Sequence, residues 1–157
     1  MSDETAFLRR AIALSREHMA AGAGGPFGAV IVRDGRIVGE GWNRVTSTND
    51  PTAHAEVVAI REACRALGTF KLDGAVLYTS CEPCPMCLAA TYWARIGRIV
   101  YANSRADAAA IGFDDDFLYR EIPLPLEARS IPIVRALAGE AIRVFEDWAA
   151  KPDRIAY

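Results

Sequence analysis

Apolar residues recur at intervals of three and four through Phe7, Leu8, Ala11, Ile12 and Leu14, with Arg9, Arg10, Arg16 and Glu17 between them. This spacing predicts an amphipathic helix, capped from Ser2 or Asp3 and ended by the run Gly22-Ala23-Gly24-Gly25-Pro26. Phe27 to Val32 and Ile37 to Trp42 read as short strands joined through Asp34-Gly35, a hairpin signal. Asn43 to Thr52 is polar apart from Val45 and reads as a loop. From Ala53 to Leu67, Val57, Ile60, Cys64 and Leu67 fall at helical spacing, and Gly68 stops the run.

Ala75 to Tyr78 is a compact apolar strand and Ser80 to Pro83 a loop. Cys84 to Ala94 then predicts a helix and Ile99 to Tyr101 another strand, so this stretch is a βαβ unit with parallel strands and a right-handed crossover. Its first loop lies at a carboxyl edge, where α/β sites gather. Beyond Tyr101 the chain passes through small residues from Arg105 to Ala110, an acidic trio at Asp114 to Asp116 and a proline-punctuated stretch from Ile122 to Pro132. It closes with an amphipathic run, Ala141 to Ala149, carrying Ile142, Phe145 and Trp148. That run reads as a docking helix, followed by a polar tail ending in Tyr157.

The length, 157 residues with 52% hydrophobic, suits one domain with its own core. A net charge of −2 argues against a surface built to neutralise many phosphates. No apolar stretch has the length of a membrane span, and the N-terminus lacks the basic start and apolar core of a signal peptide, so the expected location is the cytoplasm. Four cysteines at spacings unlike a secreted disulfide framework fit the same compartment. His18 reads as a solvated helix residue, and Cys64 and Cys81 as ordinary small apolar side chains.

The candidate chemistry lies in two places, His54-Ala55-Glu56 and Pro83-Cys84-Pro85-Met86-Cys87. Two thiolates from a Cys-x-x-Cys at a helix start and one imidazole form a three-ligand set for zinc. Structural zinc sites close with four protein ligands, so three ligands beside a carboxylate point to catalysis, with water as the fourth ligand. Glu56, two residues past His54, is that carboxylate and would move the proton released when zinc lowers the pKa of water from about 16 to about 7. Helix N-termini carry partial positive charge, which favours the thiolates of Cys84 and Cys87.

The His-x-Glu and Pro-Cys-x-x-Cys pair resembles the signature of the zinc-dependent nucleobase deaminases. Nearly the whole chain is similar to the cytidine deaminase superfamily and, within it, to the bacterial enzymes that deaminate guanine. The matching stretches are Gly24 to Val30, Ser47 to Glu56, Tyr78 to Cys87, Tyr92 to Arg95 and Ala110 to Asp115, with Phe145, Trp148 and the terminal tyrosine. The resemblance implies a three-layer α/β/α sandwich around a mixed five-stranded sheet. It implies His54, Cys84 and Cys87 as zinc ligands and Glu56 as proton carrier. It further implies Asn43 and Asp115 as hydrogen-bonding groups for a purine base, with Phe27 and Trp93 as its apolar walls. Asp114 is the alternative to Asp115.

The resemblance also implies a homodimer that exchanges residues 141–157, with Tyr157 reaching in from a partner subunit. The residues before it, Asp153-Arg154-Ile155-Ala156, depart from the lysine-rich ending of the family. The implied reaction is zinc-dependent hydrolysis of guanine to xanthine and ammonia. The alternatives are deamination of tRNA adenosine, which calls for a more basic surface, or of another small amino-heterocycle such as cytosine or ammeline. A noncatalytic zinc module is the reading from another class and needs a fourth protein ligand, for which Cys81 is the spare thiol nearest in sequence.

Overall fold

β1 (Gly28–Arg33) is buried on both faces, and its side chains divide between two cores. Ala29 and Ile31 join Ala55, Ala59, Ala63, Leu72, Leu77 and Ala94 on one side. Val30 and Val32 join Leu14 and Tyr78 on the other, where Phe7 and Leu8 also pack. The alternation of a strand thus feeds two layers of helix, which is the expected α/β/α sandwich. The computed structural model describes residues 3–157, with side chains from residue 4, so the cap expected at Ser2 or Asp3 lies outside the described residues. The chain divides into two units, Met1–Asp115 and Asp116–Tyr157.

In the first unit the elements run α1 (Asp3–Ala20), β1, β2 (Arg36–Trp42), α2 (Val45–Thr48), α3 (Ala55–Leu67), β3 (Val76–Cys81), α4 (Pro85–Trp93), β4 (Arg98–Asn103) and α5 (Arg105–Ala110). The sheet order is β2-β1-β3-β4, with β3 and β4 parallel and the other pairs antiparallel. Asp34 and Gly35, at φ 51° and 71°, make the two-residue turn of the predicted hairpin. The βαβ unit forms with parallel strands, but its first strand runs on through Ser80 and Cys81, which were expected in the loop, and the expected loop Asn43 to Thr52 holds the short helix α2. The sheet has four strands among the described residues rather than the five that the resemblance implied. After β4 the chain turns directly into α5, started by a capping box between Ser104 and Asp107, and the later β-branched run Ile131-Pro132-Ile133-Val134 forms no strand.

α3 lies directly on β2. A Cβ at Gly41 would stand 2.2 Å from the carbonyl oxygen of Ala55, and one at Gly39 would stand 2.4 Å from that of Ala59. The face that α3 buries deepest is therefore the alanine stripe Ala55, Ala59 and Ala63, four residues apart. Val57, Ile60 and Cys64, taken from the sequence as the apolar face, are only half-buried, because glycines on the strand leave room for backbone and little else. This close seat holds the start of α3 against the sheet. His18 also differs from expectation: its ring stacks on Trp42 with centroids 3.6 Å apart and 4° between planes.

The second unit comprises α6 (Asp116–Glu121), a short 3₁₀ turn at Leu126–Ala128 and α7 (Ala138–Ala150). Arg120 pairs with Asp116, and Glu121 accepts from Ser130, bonds that tie the first part of the unit to itself. No residue from 116 to 157 is buried within the chain. Val144, Phe145 and Trp148 of α7 are exposed, as are Leu137 before it and Ile155 and Tyr157 after it.

Candidate active site

His54 and Cys84 occupy equivalent places. Each is the N-cap of a helix, α3 and α4 respectively, with extended backbone angles of φ −69°, ψ 154° and φ −66°, ψ 168°. An N-cap side chain ordinarily accepts a hydrogen bond from the first turn, worth about 1 kcal/mol. Neither of these does. Their carbonyls still start the helices, accepting from Val58 and Leu88 at 3.0 and 2.8 Å, while their side chains are left for another purpose. Pro85 at the first helical position fixes the entry to α4, and Cys87 follows two residues later, fully buried.

The Nδ1 atom of His54 lies 3.6 Å from the sulfur of Cys84 and 3.6 Å from that of Cys87. Tetrahedral zinc with bonds of about 2.3 Å to sulfur and about 2.0 Å to nitrogen places such a pair about 3.5 Å apart. The three ligand atoms lie within 4.8 Å of one another, and they form the only such cluster of histidine, cysteine or carboxylate groups among the described residues. The donor set and its spacing fit zinc. Cys81 is not in the cluster, and its thiol donates to the carbonyl of Ser104 at 3.7 Å. Burial pushes its pKa up to about 11.

The two sulfurs of the cradle act as a pair. The hydrogen bond from Cys87, helped by His54, lowers Cys84 to about 4, while that same bond and burial raise Cys87. Contact with Cys84 raises His54 against the opposing effect of its burial.

Glu56 sits in the first turn of α3, beside the cradle, 6% exposed. Burial raises its pKa, opposed by hydrogen bonds to its carboxylate, one of them from Cys87. The hydroxyl of Thr79, on β3, donates to its Oε1 at 3.2 Å.

Asn43 is buried at the end of β2. Its Oδ1 accepts from the backbone amides of Gly25 and Val45, both at 3.1 Å. A Cβ on Gly24 would come within 2.3 Å of that oxygen, so Gly24 packs directly on the amide. With its acceptor engaged on the main chain, Asn43 has only its NH₂ group to offer a ligand. Phe27 is half-buried, its ring edge-on to Phe113 at 4.9 Å between centroids. Asp115 is partly buried and close enough to Cys84 for the thiolate to act on it; desolvation raises its pKa and the Cys84 charge adds to this, with Arg105 opposing. Asp114 is exposed.

Trp93 is different. Six residues past Cys87 on α4, it is turned about 240° around the helix and about 9 Å along it. It is 62% exposed. Tyr157, in the second unit, is 74% exposed. Sequence reasoning did not single out Thr79, the close packing of Gly24 on Asn43 or the amide of Gly25 that donates to it. A polar pair, Thr79-Ser80, continuing an apolar strand was the available signal. Both residues lie in β3 and are buried, and Ser80 takes the amide of Gly28 at 3.0 Å.

Residues 1–103 match the family described as the cytidine and deoxycytidylate deaminase zinc-binding region. The chain is 57% identical to the guanine deaminase of Bacillus subtilis over 94% of both chains. An X-ray structure of guanine deaminase from that species superposes with a TM-score of 0.95 at 54% identity, covering 100% of this chain and 99% of the other. The guanine deaminase of Nitrosomonas europaea is similar at 32% identity and TM-score 0.67, over 93% of this chain and 84% of its own. The tRNA-specific adenosine deaminase of Agrobacterium fabrum is 49% identical, but over 55% of this chain and 57% of its own length. The chain therefore belongs to the zinc-dependent cytidine and deoxycytidylate deaminase family. Its fold is the cytidine-deaminase-like α/β fold and its cofactor is zinc.

Proposed function

We infer that this enzyme hydrolyses guanine to xanthine and ammonia. The observation that carries the reading is the extent of the likeness to guanine deaminase, which runs through both units, whereas the likeness to the Agrobacterium tRNA deaminase spans about half the chain. His54, Cys84 and Cys87 would hold the zinc, which when bound supplies the Lewis acidity that makes water a nucleophile at neutral pH. Glu56 takes a proton from the water that attacks C2 and delivers it to the adjacent ring nitrogen. It then carries the second proton to the departing amine. One water is consumed and one ammonia released.

The base is held by groups of opposite sense. Asp115 accepts the N–H donors on the N1 and exocyclic amine edge of guanine, and the NH₂ of Asn43 meets an acceptor on the base. The ring lies against Phe27. Adenine lacks the N1 proton, and a partly desolvated carboxylate left without its donor penalises the wrong base strongly. Asp115→Ala is expected to lower kcat/KM for guanine about 10- to 100-fold, the worth of hydrogen bonds to a charged group. Unchanged efficiency would remove Asp115 from this role.

The test of the whole reading is ammonia release from guanine, adenine, cytosine, ammeline and a tRNA substrate, supplied separately. Guanine should dominate; turnover of tRNA adenosine alone would overturn the assignment.

The enzyme works as a homodimer in which residues 141–157, within the second unit, dock on the partner and Tyr157 reaches the partner's site. Support comes from α7, which has an apolar stripe and no buried residue of its own, and from the exposed face of Trp93. Sedimentation should give a dimer, and a chain cut after Asp115 should lose both the dimer and turnover. A fully active monomer at micromolar concentration would exclude the exchange. Cysteines used as metal ligands and small apolar side chains support a reducing compartment, the cytoplasm; fractionation into an oxidising one would refute that. Among the described residues no helix is long and apolar enough to cross a membrane.

A further inference from the structure

Thr79 stands in the middle of β3, paired with Ala29 on one side and Tyr101 on the other, and is fully buried. A β-branched residue suits that place, and valine would fill the same space. The hydroxyl is what needs a reason, because a buried hydroxyl is costly unless it is bonded. Its bond is the one to Oε1 of Glu56 at 3.2 Å, and no buried side-chain polar atom among the described residues is left without a partner. The terminal torsion of a glutamate is soft, and its other bonds, from Cys87 and from its own backbone, come from the cradle and from α3 rather than from the sheet. A donor fixed on a central strand adds a rigid anchor to them.

We propose that Thr79 is a positioning residue for Glu56: its hydroxyl anchors one carboxylate oxygen to the sheet, so that the other is presented to the reacting water and the leaving amine. The inference rests on the proton-carrying role assigned to Glu56 above. Thr79 touches neither the metal ligands' donor atoms nor, on this assignment, the base; it acts through Glu56 alone.

The test uses the zinc-loaded enzyme with Thr79→Val and Thr79→Ser. In the valine variant kcat for guanine should fall about 10- to 100-fold, as expected for losing a hydrogen bond to a charged group, while KM and zinc content stay at wild-type values. The serine variant should recover most of the rate. A crystal structure of the valine variant should show the Glu56 carboxylate rotated or split between orientations. Wild-type kcat in Thr79→Val, or a fall that follows lost zinc or lost thermal stability, would overturn the proposal. If the wild-type enzyme released no ammonia from guanine, the functional reading would fail by itself. The orientation of Glu56 in the valine variant would still decide the role of Thr79.

Discussion

Glu56→Gln is expected to retain zinc and to lose about 10²- to 10⁴-fold in kcat, the usual worth of a positioned acid–base group. The two side chains have nearly the same shape, and Glu56 is not among the three atoms of the metal cluster, so the cradle should survive the change. The amide can still accept from Thr79 at one atom, which preserves the contact with β3. What it cannot do is take a proton from water and give it up again. Zinc stoichiometry by elemental analysis, beside ammonia release under saturating guanine, separates the two effects. A variant that kept full turnover would remove Glu56 from the chemistry. One that lost zinc as well would make it a part of the cradle.

Much of this arrangement is written in local sequence signals. Asp34-Gly35 specifies a turn that few other pairs adopt, and Gly68 ends α3 in the left-handed conformation, φ 61°, as its place after Leu67 implies. The ligands are legible because zinc demands particular atoms at particular spacings, and His54 and Cys84 both stand where a helix begins. What local signals do not carry is the contact between elements. The buried face of α3 follows from the glycines of β2, a strand distant in sequence, and so Ala55, Ala59 and Ala63 outrank the larger Val57 and Ile60. Thr79 fell between the expected strand and loop with no role, because its partner lies on another element. His18 looked solvated for the same reason, its neighbour Trp42 being on β2. The fifth strand came from likeness alone, and the β-branched run Ile131-Pro132-Ile133-Val134 pairs with no strand.

Cys87→Ala is expected to empty the cradle and to lower turnover by at least about 10³-fold, since the Lewis-acid contribution is worth several kcal/mol. Two ligands, His54 and Cys84, would remain, and the lost atom is the one most deeply buried of the three. Chelation of the wild-type enzyme should reproduce the loss, and zinc should restore it, whereas the alanine variant should not respond to added zinc. Protons compete for the same atoms. With Cys84 lowered to about 4 and Cys87 raised, the pair holds one proton at neutral pH, and zinc must displace it. Zinc affinity should therefore fall about tenfold for each unit of falling pH, one proton being exchanged per ion. The slope should steepen once His54, whose pKa is raised, also gains a proton that the metal must remove. Competition against a chelator of known affinity across that range measures the slope directly. A pH-independent affinity would mean that the cysteine pair is not the ligand set.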